Sequence, residues 1–243
     1  MLSCWPVSAS EPAQSFHRAA LEYERGRPGW PEGVLDVLPV DAHATVLDLG
    51  AGTGKLTEVL ARRYARVIAV EPLAELRAIL ARRVHSADVR DGRAENIPLA
   101  DAEVDAVFAG QAFHWFANDV AVAEIARVLR PGGVLVMLWN QDVPPSPLPE
   151  NYRRRLDELR AATPPPRVDE HLLARAPFGE VRHDSVAHEQ VSEREDVLAF
   201  AASVSWIASR DDREQVLAEL GAMLPEGRYV FPMRAEVSWA IRT

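Results

Sequence analysis

One ten-residue stretch restricts the fold of this chain more than any other. In Val46-Leu47-Asp48-Leu49-Gly50-Ala51-Gly52-Thr53-Gly54-Lys55 an apolar run meets three glycines at alternate positions, and a helical pattern opens directly after them. Glycine tolerates positive φ and lets a ligand approach the backbone, so strand, turn and helix start here form a nucleotide-type loop at a sheet edge. Spacing separates the kinds of loop. A phosphate-cradling P-loop carries four residues between its first glycine and Gly-Lys, with Ser or Thr next. Here three residues separate Gly50 from Gly54, and Leu56 follows Lys55. A dinucleotide turn wants a small residue at position 55 for helix packing, and Lys55 stands there. Glu71 closes the next apolar run 21 residues beyond Gly50, near the roughly 20 at which a carboxylate meets ribose hydroxyls.

Strand and helix patterns alternate around this turn. The expected order is strand Thr45–Leu49, helix Lys55–Arg63, strand Arg66–Val70, helix Leu73–Arg83, strand Asp88–Arg90, strand Asp105–Ala109, helix Asn118–Leu129 and strand Val134–Trp139. Such alternation implies a parallel sheet with helices on both faces. Upstream, residues 1–14 read as a flexible leader and Ser15–Arg25 as a helix. Gly26-Arg27-Pro28-Gly29-Trp30-Pro31 breaks it before a short helix over Glu32–Leu38. From Gln141 the texture changes: prolines 144, 145, 147 and 149 precede a charged helix over Asn151–Ala161 and the run Pro164-Pro165-Pro166. This reads as an excursion over the sheet's edge. Strand Glu180–Val191, helices over Glu193–Ala202 and Asp211–Leu224, and an alternating strand Arg228–Ile241 complete the pattern.

Composition narrows the function. With 243 residues, 48% hydrophobic and 26% charged, the chain has the makeup of one soluble globular domain. A net charge of −9 opposes binding to a phosphate backbone, so nucleic acid is not an expected partner. A single cysteine, Cys4, cannot make an internal disulfide, and the first twenty residues lack both a basic start and an apolar run. A cytoplasmic protein is expected. No stretch has the roughly 20 apolar residues that span a bilayer. The seven histidines are scattered without Cys partners or an H-E-x-x-H pattern, so no metal is expected. No Gly-x-Ser-x-Gly marks a hydrolase. The run Arg153-Arg154-Arg155 is followed by Asp157 and Glu158 and reads as a solvated helix face.

The pattern Asp48-Leu49-Gly50-Ala51-Gly52-Thr53-Gly54 resembles motif I of the class I S-adenosylmethionine (SAM)-dependent methyltransferases. The resemblance continues through Asp91-Gly92-Arg93-Ala94-Glu95-Asn96-Ile97-Pro98-Leu99, Val104-Asp105-Ala106-Val107, Gly110-Gln111-Ala112-Phe113-His114-Trp115-Phe116 and Arg127-Val128-Leu129-Arg130-Pro131-Gly132-Gly133. Together these look like the type 11 group. Tyr23-Glu24-Arg25-Gly26-Arg27-Pro28-Gly29-Trp30-Pro31 resembles the cofactor-covering arm of a subset that includes small-acid methyltransferases. The match is good over Ser15–Trp139 and loose beyond.

The resemblance implies a Rossmann-like, doubly wound α/β fold: a mostly parallel seven-stranded sheet with an antiparallel C-terminal strand and a helical lid. It implies one domain over 1–243, with a cofactor core over 15–140, lid and specificity excursions over 141–224 and the final strand in 225–243. By position, Asp48, Gly50, Ala51, Gly52, Thr53 and Gly54 would line SAM, and Glu71 and Pro72 would meet its ribose. Ala94 and Glu95 would face the adenine, with Gln111, Tyr23 and Arg27 also at the cofactor. Arg93 stands where many relatives have an Asp that accepts from the adenine amino group, so another acceptor, Glu95 for one, is required. His114 follows the fourth strand and is the catalytic candidate. Neutral, it could take a proton from a hydroxyl nucleophile; protonated, it could hold a carboxylate, and both roles stay open. Trp115 and Phe113 could wall the pocket beside a sulfonium. The expected activity is methyl transfer from SAM, giving S-adenosylhomocysteine (SAH), to a small-molecule acceptor at oxygen, by a monomer or homodimer. The rivals are a non-catalytic SAM-binding module and an NAD-dependent oxidoreductase.

Overall fold

The computed structural model describes residues 22, 24–161 and 172–243. Seven strands order as β3-β2-β1-β4-β5-β7-β6 in one sheet. They are β1 (Thr45–Leu49), β2 (Arg66–Val70), β3 (Asp88–Arg90), β4 (Val104–Gly110), β5 (Leu129–Asp142), β6 (Arg182–Glu193) and β7 (Arg228–Ile241). The helices are α1 (Lys55–Arg63), α2 (Ala74–Arg83), α3 (Asp119–Val128), α4 (Glu150–Ala161), α5 (Arg194–Ser203), α6 (Ser205–Ala208) and α7 (Arg213–Met223). The chain folds into two compact units. A core unit comprises Gly29–Gln141, Pro166–His188 and Arg234–Thr243, and a helical unit comprises Met1–Pro28, Asp142–Pro165 and Glu189–Met233.

In the core unit β1 pairs in parallel with β2 and β4, β2 with β3, and β4 with β5. Two-residue alternation sends successive side chains to opposite faces. Leu47, Leu49, Ile68, Val70, Val107 and Leu135 pack on the side of α3 residues Ala121, Val122 and Ile125. Val46, Val67, Ala106, Phe108 and Val136 pack on the side of α1 residues Leu56, Val59 and Leu60. Covering both faces explains why these strands read as nearly continuous apolar runs, and each fully buried Leu or Val contributes about 1.5–3 kcal/mol. The expected doubly wound architecture is what the strand order gives.

The last strand is antiparallel, as expected. Gly132 N–H donates to the Arg242 carbonyl and Arg242 N–H to the Gly133 carbonyl, whereas further along β5 the Val143 N–H meets the Pro232 carbonyl. One difference is instructive. Sequence placed the fifth strand at Val134–Trp139, since Pro131-Gly132-Gly133 reads as a turn; pairing with the chain end at Arg242 extends it back to Leu129. The helix expected over Glu32–Leu38 is a 3₁₀ turn over Glu32–Leu35, starting without a side-chain cap. Most of the helix expected over Ser15–Arg25 lies outside the described residues.

The helical unit has its own core of Tyr152, Leu159, Val197, Ala201, Ile207, Val216 and Leu220. A capping box between Glu193 and Asp196 starts α5, which satisfies two of its orphan N–H groups. No helix among the described residues is long and apolar enough to cross a membrane.

Candidate active site

The strand order reverses between β1 and β4, and in open α/β sheets such a switch point opens a crevice at the carboxyl edge where ligands bind. Two segments of this chain meet there. The turn Gly50–Gly54 leaves β1, with φ of 71° at Gly50, 58° at Gly52 and 88° at Gly54, a region other L residues adopt with strain. Gly50 and Ala51 N–H groups both donate to the Val70 carbonyl, at 2.9 and 3.1 Å, which ties the turn to the end of β2. The segment after β4 packs directly on it: a Cβ on Gly50 would stand 2.9 Å from Ala112 Cβ and 3.4 Å from Phe116 Cε1. Thr53 is buried, and Gly54 is the N-cap of α1.

Glu71 follows β2 and is only 4% exposed. Its Oε2 accepts from Gly52 N–H at 2.9 Å and its Oε1 from Leu73 N–H at 2.8 Å, so the carboxylate lies against the glycine turn. Burial raises its pKa, while these N–H groups and the nearby Arg77 pull it down. Arg77 also donates to the Glu71 and Pro72 carbonyls at 2.8 and 3.0 Å, fixing the strand end. A carboxylate oxygen has two acceptor sites, so two hydroxyl donors can still be accommodated.

The strand β3 leads to Asp91–Glu95, where Ala94 is buried and Arg93 and Glu95 are exposed. Glu95 Oε1 accepts from Asn118 Nδ2 at 3.0 Å, and Asn118 Oδ1 caps α3 by accepting from Ala121 N–H at 3.0 Å. His114 lies in the 3₁₀ turn Phe113–Trp115 at the end of β4, half-buried, its ring 4.7 Å from that of Trp115. Trp115 is 44% exposed, whereas Phe113 and Phe116 are core, their rings edge to face at 5.7 Å.

Asp48, carried over as a cofactor residue, is tied to α1. It is 1% exposed, and its Oδ2 accepts from Thr57 Oγ1 on α1 at 2.6 Å. Arg27 belongs to the helical unit, where it donates to the Ser203 carbonyl at 3.2 Å and lies over the Phe200 ring at 5.4 Å. Tyr23 lies outside the described residues. Among the described residues no group of three His, Cys, Asp or Glu could hold a metal.

One polar network went unread in the sequence. Gln111, in the left-handed region at φ 53°, donates through Nε2 to the Asn140 carbonyl at 2.9 Å. Asn140 Nδ2 donates to the Gly29 carbonyl, and its Oδ1 lies 2.9 Å from His188 Nε2. Because the Gly29 carbonyl only accepts, the Asn140 amide oxygen faces the imidazole and His188 carries its proton on Nε2. The odd spacing of His183 and His188 shows that they take opposite faces of a strand, and nothing in their own neighbourhood points to Asn140.

A doubly wound sheet, a three-glycine turn at its switch point and a buried carboxylate on that turn define a nucleotide-cofactor-binding α/β protein. The family model described as "Methyltransferase domain" matches residues 47–137. The chain is 48% identical over 126 residues to an uncharacterized methyltransferase of Mycobacterium tuberculosis, covering 52% of each, so it spans about half the length of that relative. It is 30% identical over 243 residues to the malonyl-[acyl-carrier protein] O-methyltransferase of Pectobacterium atrosepticum, covering 94% of each. A solved geranyl diphosphate methyltransferase in complex with SAM shares the fold, with a TM-score of 0.51 and 16% identity, over 96% of this chain and 93% of that one. The chain belongs to the class I SAM-dependent methyltransferases, type 11 group, whose cofactor is SAM. The residues present fit that cofactor: glycine at alternate positions leaves the turn's backbone open to close approach, and the buried Glu71 carboxylate keeps acceptor sites that a diol could use.

Proposed function

We propose that this protein transfers a methyl group from SAM to oxygen of a small-molecule acceptor, a carboxylate or a hydroxyl. The observation that carries the reading is the buried Glu71 carboxylate held against Gly52 N–H. In this reading Gly50, Ala51, Gly52, Thr53 and Gly54 line the methionine portion, Glu71 and Pro72 take the ribose, and Ala94 and Glu95 border the adenine. Bound SAM supplies an electrophilic methyl on a sulfonium. The chain's own task is to orient the acceptor in line and to exclude water, since orientation supplies most of the rate in such a displacement. His114, at the carboxyl end of β4, takes the proton of a hydroxyl acceptor or, protonated, holds a carboxylate. The malonyl-[acyl-carrier protein] O-methyltransferase likeness supports oxygen as the atom modified.

The acceptor's identity is assigned to residues 141–224, outside the matched segment 47–137. Gln111, held by the Asn140 carbonyl, completes the cofactor side. Monomer or homodimer, a cytoplasmic location and no nucleic acid partner belong to the same reading. The test is transfer of isotopically labelled methyl from SAM to a panel of small carboxylic acids and phenols. Labelled ester or ether supports the proposal; SAM binding with no transfer to any acceptor supports a non-catalytic module. His114→Ala should keep SAM affinity within about twofold while lowering turnover roughly 100-fold or more, the usual scale for a lost general base. Wild-type turnover in that variant would make the imidazole structural.

A further inference from the structure

We infer that Asp48 is a positioning residue that holds the glycine turn through Thr57, instead of touching the cofactor. The arrangement is local and fully buried. Alternation along β1 turns Asp48 to the α1 side of the sheet, the side on which Val46 packs. Its Oδ2 there accepts from Thr57 Oγ1 at 2.6 Å, and Thr57 is completely buried.

The helix needs what this carboxylate provides. α1 starts at Gly54, a residue with no side chain to cap it. The first N–H groups of a helix have no partner within it, and Ser, Thr, Asp or Asn at the N-cap normally supplies one. Thr57 is the third residue of α1, so its hydroxyl bond to Asp48 ties the first turn of the helix to β1. Asp48 therefore fastens the start of α1 from the neighbouring strand, through the Thr57 hydroxyl. It permits glycine at position 54, where a side chain would overlap Leu80 and where positive φ is required.

The attachment matters because the rest of the turn is held from the other side. Gly50 and Ala51 hang from the Val70 carbonyl and Gly52 from Glu71, all at the end of β2. The Asp48–Thr57 pair fastens the helix end of the turn to β1 itself. The two anchorages set the width of the turn, and with it the distance from the Gly52 N–H to the Glu71 carboxylate.

The inference rests on the SAM-binding reading only for its functional consequence, so the experiment has two arms. Thr57→Val keeps the shape and removes the hydroxyl; Thr57→Ser keeps the hydroxyl. In ligand-free protein, amide hydrogen exchange over residues 50–58 should speed up at least tenfold in Thr57→Val, return to wild type in Thr57→Ser, and stay unchanged over α2 in both. In calorimetric titration with SAH, Thr57→Val should bind about tenfold more weakly and Thr57→Ser as wild type. Should Thr57→Val not fold, Asp48→Asn replaces it: its amide oxygen still accepts from the hydroxyl, more weakly than the carboxyl group does, and an intermediate effect in both arms is expected. Unchanged exchange over 50–58 overturns the inference, as does faster exchange with unaltered SAH affinity. If the wild-type protein binds no SAH, the proposed function falls while the exchange arm still decides whether Asp48 holds the turn.

Discussion

Glu71 and Asp48 are both buried acids within one turn of each other in the fold, and their chemistry differs with their partners. Glu71 rests on two backbone N–H groups and can still accept from a diol. Its replacement by Ala should weaken SAM binding by about 1.5–3 kcal/mol, the range for lost charged hydrogen bonds, and Gly52→Val should abolish binding by filling the turn and forcing a β-branched residue to positive φ. Titration of each variant with SAM checks this; unaltered affinity in both would remove the site from this edge. Asp48 is pushed up to about 7 by burial, with Thr57's hydroxyl opposing and the charge of Glu71 adding to the rise. An unfolded Asp ionises near 4, so between about pH 4 and 7 the unfolded chain has lost a proton that the folded one keeps. Stability must then fall as pH rises through that window, by up to about 1.4 kcal/mol per pH unit. Glu71, also raised, acts with the same sign. Asp48→Asn should flatten the slope between pH 5 and 7 by about 1 kcal/mol per unit in urea denaturation, and an unchanged slope would show that Asp48 titrates normally.

At the scale of elements, the parallel strands β1, β2, β3 and β4 each lead into a short segment at the same edge, and α3 shows how such a segment is held. Asn118 uses its oxygen to cap the helix and its amide nitrogen to hold Glu95. Asn118→Ala should cost about 1 kcal/mol of stability and loosen Glu95. Asn118→Ser should keep most of the stability and lose only the Glu95 bond, so SAM affinity and denaturation midpoint separate the two roles. Much of this was legible. Thr45–Leu49 and Arg66–Val70 agree with expectation to the residue, because strands buried on both faces leave apolar runs and the chain between them is short; Asp88–Arg90, an edge strand with no buried residue, falls where it was expected without such a run. What sequence cannot carry is pairing at a distance: that Arg242 extends β5, that Thr57 receives Asp48, and that Asn140 joins Gly29 to His188. Those bonds depend on which side chains the sheet order brings together.

For the whole molecule, the two units divide what sequence can read. The segment matched by the family model, residues 47–137, lies within the core unit, where glycine spacing and strand ends carry chemical meaning. The helical unit is built from three separated stretches of chain, and its charged helices and prolines report solubility and turns without naming an acceptor. Arg27, grouped with the cofactor residues by resemblance, is held within that unit by Ser203 and Phe200. The central claim, a SAM site at the switch point, is tested most directly by calorimetric titration of the full chain with SAM, SAH and NADH in parallel. Binding of SAM and SAH at micromolar affinity, on the order of −8 kcal/mol, with no heat from NADH, is the predicted result; NADH bound in preference, or no binding of SAM or SAH, would contradict it.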